Sequence, residues 1–426
     1  MFVATALVLS LWVVWPGAAR PVAKVLAAQS GHFPVAMSND MTSSSDQSAP
    51  RFAAPSELEA EPVDLCAIDP TDKSLDPAVS RMVAAFAARA DGAVAELVGR
   101  IEADPDPYVR AIGELMRGQD KAAAAMAASA AASTIALSSL QPNPALGAVV
   151  KEASTTGDAR LYALAITTCR TTAIDGCAAL SAAQWIRLDP GNATPWLFML
   201  NDAARRGDVA GVDDALFHMA RSSRFDSRFH TPTSVVADHA DTSTDAGVSA
   251  AMTMILKAVG IQVLASWPSF QAATTACNAP AIAAANADRH QICDQIAELF
   301  SEHSDTLIAT TIGSSMGRRL GWSDDRVDAI RGVRVAADDA WQEGLATETA
   351  SSPSSAFGCN TLRTQMARMQ RTAELGEAGW ARDFMHRSGQ SAATYAKRAR
   401  AIRLESDAQM RSAGQAPAAS VARSNQ

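Results

Sequence analysis

From about residue 63 onward, apolar side chains recur three and four residues apart, the spacing of one face of an α-helix. The first such stretch covers 77–101, and Pro105 and Pro107 follow it. Its apolar positions are Val79, Met82, Val83, Phe86, Val94, Leu97, Val98 and Ile101. The pattern predicts a helix that buries one face against a neighbour and ends before the two prolines.

The same pattern continues along the chain and predicts an all-α protein. The predicted helices cover 108–116, 121–140, 158–170, 177–190, 195–206, 209–219, 248–267, 271–277, 288–303, 305–320 and 324–345, with further helices from Cys359 onward. The interval 227–247, "SRFHTPTSVVADHADTSTDAG", is polar and rich in turn residues, so it predicts a long loop. Abundant alanine and an aromatic content of only 5% support the helical assignment.

The chain begins with "MFVATALVLSLWVVWPGAAR", an uncharged and mostly apolar run up to Arg20. Its length is that of the apolar core of a signal peptide and is short for a membrane span. We expect export to the periplasm or beyond, with cleavage after Ala19 or Ala27. The alternative is an uncleaved inner-membrane anchor that tethers the protein through residues 2–19, with Arg20 and Lys24 on the cytoplasmic side.

Composition divides the chain into segments. The stretch around "MTSSSDQSAP" is rich in Ser, Ala, Pro and Asp, and it carries too little apolar surface to fold by itself. The predicted organisation is 1–28 as signal peptide or N-terminal anchor, 29–62 as disordered linker, 63–226 as a helical-hairpin domain, 227–346 as a second helical region, 347–358 as a linker and 359–426 as C-terminal helices.

A helical hairpin is predicted by "LDPGNATPWLFMLNDAARRGDVAGVDDAL", residues 188–216. Thr194 suits an N-cap and Pro195 the first helical turn. Gly207 suits the left-handed residue that ends a helix, and Asp208 suits the cap of the next. Two amphipathic helices joined by so short a turn are expected to pack face to face.

These residues resemble the tetratricopeptide repeat, a helical hairpin that stacks into superhelices. Trp196 stands at the aromatic position of the first helix, with Gly207 in the turn. Leu216 stands at the large apolar position of the second helix, while Leu200 replaces a small residue. One unit earlier, Tyr162 stands at the aromatic position. The resemblance covers about 160–226 and implies that these five residues pack stacked antiparallel hairpins, which would form a concave surface for a peptide. The layout also resembles that of exported bacterial proteins, which implies no activity.

Six cysteines form an even set, and four of them lie in two local pairs at helix ends. An antiparallel turn brings such positions together, so we predict structural disulfides Cys169–Cys177 and Cys277–Cys293. Cys66 and Cys359 then remain as a long-range pair. The bonds require an oxidising compartment. The alternative is a set of buried free thiols in a helical core.

One string matches a catalytic pattern. In "TLIATTIGSSMGRRLGW", Gly313, Ser315 and Gly317 match the nucleophile elbow of serine hydrolases, and Asp338 and His386 follow in the right order. The pattern requires a strained turn between a strand and a helix, yet no succession of strands is predicted upstream. The alternative, which we favour, is a helix in which the two glycines let a neighbour approach closely.

Charge and motifs limit the remaining functions. A net charge of −8 argues against nucleic-acid binding, which needs a dense basic face. His230, His239 and Asp241 share the predicted loop, but their spacing fits no metal motif, and we expect no metal. No Walker A or GxGxxG string occurs, so we expect no cofactor.

The sequence therefore predicts a non-catalytic, exported helical-repeat protein. We expect it to act as an interaction or scaffold module in the cell envelope, with a protein or peptide as its partner. The alternative function is that of a periplasmic serine hydrolase in which Ser315 is the nucleophile.

Overall fold

A computed structural model describes residues 64–68, 75–130, 145–170, 174–264, 268–285, 288–349 and 358–414. These residues contain sixteen α-helices and no β-strand, and their only extended pairings are two isolated bridges, Asn192–Arg224 and Phe225–Ser304. The all-α prediction is confirmed. The predicted signal peptide or anchor, the 29–62 linker and most of the 347–358 linker lie outside the described residues.

The sixteen described helices follow one another along the chain. They are α1 (Pro77–Glu102), α2 (Pro107–Ala130), α3 (Leu146–Thr155), α4 (Ala159–Cys169), α5 (Ala182–Leu188), α6 (Thr194–Arg206), α7 (Val209–Ala220), α8 (Thr231–His239), α9 (Asp245–Leu264), α10 (Gln271–Ala276), α11 (Ala279–Ala284), α12 (Asp288–Glu302), α13 (Leu307–Arg319), α14 (Asp324–Thr349), α15 (Cys359–Arg387) and α16 (Ala392–Gly414). Helix α15 is broken at Gly376, whose φ is 70°.

Neighbouring helices pack in pairs, notably α1 with α2, α3 with α4, α6 with α7 and α12 with α13. More distant elements also pair, since α1 packs on α9, α8 packs on α15, and α14 packs on α16. Within the described residues, no helix is both long and apolar enough to cross a membrane.

Two apolar cores hold these pairs together. The first joins α1–α4, α8, α9 and the start of α15, and it encloses Tyr162 and Trp185. The second joins α6, α7, α10, α12 and α13, and Phe225, Phe270 and Phe300 meet in it with ring centroids 5.2–5.5 Å apart. Each core therefore contains residues from both sides of position 226, where the sequence analysis places the boundary between two helical regions.

Two predicted boundaries are wrong. Helix α8 occupies part of the interval predicted as a loop, because Pro232 opens the helix and the apolar pair Val235 and Val236 buries one side of it. Helix α2 also continues through Gly118, where the sequence predicted an end. A glycine inside a helix costs only about 1 kcal/mol relative to alanine, which the flanking packing outweighs.

Between α6 and α7, the residues that end one helix and begin the next are those that the sequence predicts. Gly207 has a φ of 65° after α6, and the Asp208 carboxylate accepts a hydrogen bond from Gly211 N at 2.9 Å to cap α7. At the start of α6 the prediction for Thr194 is wrong. Ala193 holds the N-cap position and Thr194 is the first helical residue. The Thr194 N–H donates to Asn192 Oδ1 at 3.0 Å, so the Asn192 side chain satisfies the first amide of the helix.

Three disulfides brace the fold, and they join the pairs that the sequence predicts. The Cα–Cα distances are 5.6 Å for Cys169–Cys177, 5.5 Å for Cys277–Cys293 and 5.2 Å for Cys66–Cys359. The last bond ties the 3₁₀ turn Leu65–Ala67 to the start of α15. Because such bonds persist in oxidising compartments, they point to an environment outside the cytosol.

Candidate functional site

The serine string lies inside helix α13. The Ser315 hydroxyl donates to the carbonyl of Thr311 at 2.8 Å, which is an ordinary contact along one helical turn. Asp338 lies on α14 and pairs with Arg334 at 3.4 Å, while His386 lies in the last turn of α15. No hydrogen bond within the described part of the chain joins these three side chains. The backbone at Ser315 also lacks the strand-to-helix turn that a nucleophile elbow needs.

The two glycines of this string serve close packing. A Cβ added at Gly313 would lie 2.6 Å from the carbonyl oxygen of Ala297 on α12, closer than carbon and oxygen can approach. A Cβ at Gly317 would run into the ring of Trp322. The string therefore lets α13 lie directly against α12 and against the turn that follows it.

A connected group of buried and half-buried polar side chains lies elsewhere, where four chain segments meet. These segments are the α5–α6 turn, the stretch between α7 and α8, the α12–α13 turn and the break in α15. We name this group the polar junction, and it consists of Asp189, Asn192, Asp226, Arg228, His230, Asp305 and Glu377.

Asn192 joins two of these segments. It is fully buried, and its Oδ1 accepts from Thr194 N at 3.0 Å and from Asp226 N at 3.1 Å. Its Nδ2 donates to Asp189 Oδ2 at 3.1 Å and to the carbonyl of Asp226 at 2.9 Å. A buried amide satisfied on both sides fixes its neighbours, so Asn192 sets the path of the chain after α7.

Asp189 is the anion on which two arginines converge. Its side chain pairs with Arg224, and Arg228 donates to it at 3.1 Å. Burial opposes ionisation, but the hydrogen bonds from Asn192 and Arg228 outweigh it and lower the pKa of Asp189. Among the described residues Arg228 is the only non-glycine with a positive φ, 55°. That conformation is sparsely populated, and the contacts of the guanidinium hold it in place.

The pKa values of Asp305 and Glu377 are shifted in opposite directions. Asp305 Oδ2 accepts from Ser227 N at 3.0 Å and from Ser227 Oγ at 2.7 Å, whereas its Oδ1 is enclosed without a partner. Burial, followed by the nearby charge of Asp226, raises the pKa of Asp305 to about 7. Glu377 lies 3.2 Å from His230 Nε2 and accepts from Leu307 N at 2.7 Å. Burial disfavours its charge, yet these partners lower the pKa of Glu377.

The break in α15 packs against the backbone of Asp305. Glu377 N donates to the carbonyl of Asp305 at 2.7 Å. A Cβ at Gly376 would lie 2.7 Å from that carbonyl oxygen, and the φ of 70° is also one that favours glycine. Glycine at 376 is therefore required both by the backbone angle and by the close approach.

A cleft of about 40 Å³ lies beside the polar junction. Its polar lining is Tyr108, Arg160, Thr167, Thr194, Ser227, Arg228, Thr231 and Gln262. The Tyr108 hydroxyl donates to Thr231 Oγ1 at 2.6 Å, and burial raises its pKa, so it stays protonated. The cleft has room for about three water molecules, by the volume that one water needs.

Metal-ligating side chains are committed to other partners. Asp64, Cys66 and Cys359 lie close together, but the two sulfurs are bonded to each other and supply no thiolate. His239 from the predicted loop contacts the carbonyl of Val235 at 2.8 Å and Asp104 Oδ2 at 3.0 Å. His230 pairs with Glu377, and Asp241 accepts from Ser243, so the structure does not bring these three loop residues together.

The residues predicted to pack repeats separate into two groups. Tyr162, Leu200 and Leu216 are buried, as the resemblance implies, and Gly207 makes the turn. Trp196 also packs against the second apolar core, as the resemblance implies, but its side chain is only half-buried. The fully buried tryptophan is Trp185 on α5, whose ring lies 5.9 Å from that of Phe198 on α6.

Trp196 belongs to an aromatic cluster at the surface of the α6–α7 hairpin. Its ring stacks on His218 with centroids 4.3 Å apart and an angle of 10°. Phe217 meets His218 edge to face at 5.4 Å, and the Arg221 guanidinium lies 5.1 Å from the Phe217 ring. Phe217 is 44% exposed. We name Trp196, Phe217, His218 and Arg221 the aromatic face.

Comparison with protein-family models, with curated proteins and with solved structures gives no match to this chain. The class that the structure itself defines is an all-α protein of packed helix pairs, compatible with helical repeats and braced by three disulfides.

Proposed function

We propose that the protein is a non-catalytic helical module that is exported to the periplasm or secreted, where it binds a protein or peptide partner. The aromatic face of the α6–α7 hairpin carries this proposal. Tryptophan, tyrosine and arginine are the residues most enriched among the energetically dominant positions of protein interfaces, and phenylalanine is enriched in interfaces as a whole. Here they are clustered at the surface of a hairpin whose core positions are filled by Leu197, Leu200 and Leu216.

The hairpin is also rigid enough to present such a face. Helix α6 is held at its start by Asn192, and α7 packs on both α6 and α12. A preorganised surface loses little conformational entropy on binding, which favours affinity. The resemblance to tetratricopeptide hairpins agrees with this role, and the three disulfides agree with export.

The first test is a comparison of two equally exposed apolar positions. Met82 on α1 is 47% exposed and Phe217 is 44% exposed, so Met82 is a matched control. We expect a photo-crosslinking amino acid at position 217 to capture one defined partner in the native envelope fraction, and the same amino acid at 82 not to capture it.

With the captured partner purified, Phe217→Glu should weaken binding by about 30-fold, the effect of losing a hot spot of about 2 kcal/mol. Met82→Glu should change the Kd less than twofold. Equal crosslinking at both positions, or a Kd unchanged by Phe217→Glu, would exclude the aromatic face as the binding surface.

A further inference from the structure

The polar junction contains one carboxyl group that its neighbours do not neutralise. Asp305 Oδ1 is enclosed and has no hydrogen-bond partner in the described part of the chain. An ionised carboxylate in that position would be neither hydrated nor fully hydrogen-bonded, whereas a protonated carboxyl carries no charge. The geometry thus favours the protonated form.

The charged groups around Asp305 are already engaged. Those that act on Asp305 itself are Asp226 and His230 from the stretch after α7. Glu377 from α15, with Arg334 from α14 near it, lies next to them through His230. Arg228 is shared between Asp189 and Asp226, and His230 pairs with Glu377. Ionisation of Asp305 would therefore add a negative charge beside two existing carboxylates.

The same residue holds three segments together through its backbone. Asp305 N donates to the carbonyl of Phe225 at 3.1 Å, and its carbonyl accepts from Glu377 N at 2.7 Å. Its side chain binds both the N–H and the hydroxyl of Ser227. A change in the charge of Asp305 therefore acts directly on the docking of the α15 break.

We propose that Asp305 is a proton-controlled latch: while its carboxyl is protonated, the Gly376–Glu377 break of α15 stays docked on the α12–α13 turn, and loss of the proton weakens that docking. The latch is a property of the polar junction and does not depend on the aromatic face or its partner. It makes the position of the C-terminal half of α15 sensitive to the pH around the protein.

The direction of the effect follows from the two pKa values. Burial raises the pKa of docked Asp305 to about 7, and an undocked, hydrated aspartate has its usual value of 3.8. Between these values the docked state binds more protons. The equilibrium constant for undocking therefore rises with pH, by up to about tenfold per pH unit, and becomes constant above about pH 7.

Hydrogen exchange of the Glu377 amide measures this equilibrium, because that amide is bonded to Asp305 only in the docked state. We would compare the full chain with Asp305→Asn, which keeps the shape and cannot ionise. Asp91→Asn on the exposed side of α1 is the control for the loss of one carboxylate. Rates are corrected for the intrinsic pH dependence of exchange and measured from pH 4.5 to 8.

We expect the protection factor of Glu377 to fall by about 100-fold between pH 4.5 and 7 in the wild type and in Asp91→Asn, relative to Asp305→Asn. The same pH profile in wild type and Asp305→Asn would overturn the latch. If Asp305→Asn does not fold, the carboxyl carbon shift of Asp305 in wild-type protein decides instead. A titration midpoint near 7 supports the latch, and one near 4 overturns it.

Discussion

At the scale of single residues, Asp328 and Arg403 form a deeply buried ion pair in the described part of the chain. Two hydrogen bonds join the carboxylate to the guanidinium. Arg403 Nε lies 2.7 Å from Asp328 Oδ1, its terminal nitrogen lies 2.8 Å from Oδ2, and both side chains are 4% exposed. Arg403 also lies 3.4 Å from Asp324, whose side chain is 57% exposed, so removal of Asp328 leaves the buried guanidinium with only this half-exposed partner. This pair fixes the register of α16 against α14.

We predict that Asp328→Asn lowers the free energy of unfolding by about 2–3 kcal/mol at pH 7, measured by urea denaturation, because Asp324 still compensates part of the Arg403 charge. The matched control is Asp325→Asn, since Asp325 is 92% exposed and lies 3.8 Å from Arg400. The control should change stability by less than about 0.5 kcal/mol. Equal effects in the two variants would show that the buried pair contributes no more than a surface one.

The pH dependence of this pair has a defined sign. The hydrogen bonds from Arg403 lower the pKa of Asp328, so its stabilisation is complete above the pKa of an unfolded aspartate. It is lost as pH falls through the lower, folded value. The difference in stability between wild type and Asp328→Asn should therefore shrink as the solution is acidified from pH 5 towards pH 2.

Residues with local roles are the ones that the sequence predicts well. Gly207 and Asp208 were identifiable because a left-handed turn and a helix cap each need a particular residue at a particular place. The role of Asn192 at the start of α6 was missed, because it depends on the contact that Asn192 and Thr194 make with Asp226, 32–34 residues further along the chain. The sequence gives no way to see that contact.

At the scale of helices, the contact of α13 with α12 depends on a glycine. We predict that Gly313→Ala destabilises the protein by about 1–3 kcal/mol, because the added methyl group meets the backbone of α12 and cannot be accommodated by a rotamer change. Thermal and urea denaturation measure the loss.

Gly99→Ala is the matched control for this helix contact. Gly99 lies inside α1, and nothing lies within 4 Å of the position of an added Cβ. The substitution should therefore stabilise the protein by about 0.5–1 kcal/mol through helix propensity alone. Stabilisation by both substitutions would mean that α12 and α13 are not in close contact in solution.

The helices themselves were predictable from apolar spacing, and errors arose where tertiary packing overrides a local signal. Helix α8 lies in a polar stretch, and two buried valines together with contacts to α9 and α15 are enough to stabilise it. The string around Ser315 shows the opposite case. A pattern typical of a catalytic turn has a helical conformation, because the segment has a neighbouring helix to pack on and no sheet to join.

At the scale of the whole molecule, the long-range disulfide should contribute more to stability than the local ones. In the chain-entropy model, closing a loop of 293 residues is worth roughly 5–6 kcal/mol, against about 2.5 kcal/mol for a loop of 8. We predict that Cys66→Ala with Cys359→Ala lowers the urea midpoint about twice as far as Cys169→Ala with Cys177→Ala. A larger loss from the short-loop variant would contradict the prediction.

The polar junction is the part of the molecule that sequence reasoning did not find. Its carboxylates come from positions 189, 226, 305 and 377. In the sequence, each of these acidic residues is indistinguishable from one on the solvated surface. They meet because the backbone of Phe225 pairs with the α12–α13 turn and because α15 breaks at a glycine. Such a site exists only once the helices are assembled, so the pattern along the chain carries no signal for it.

The bond between Cys66 and Cys359 also has a mechanical consequence. It closes the main chain into a covalent ring, so a pulling force applied at the two ends of the protein passes from one cysteine to the other through the sulfur bridge. The helices between them carry none of that load. Under tension this ring stays closed while the chain outside it stretches, and reduction of the one bond releases about 290 residues of slack.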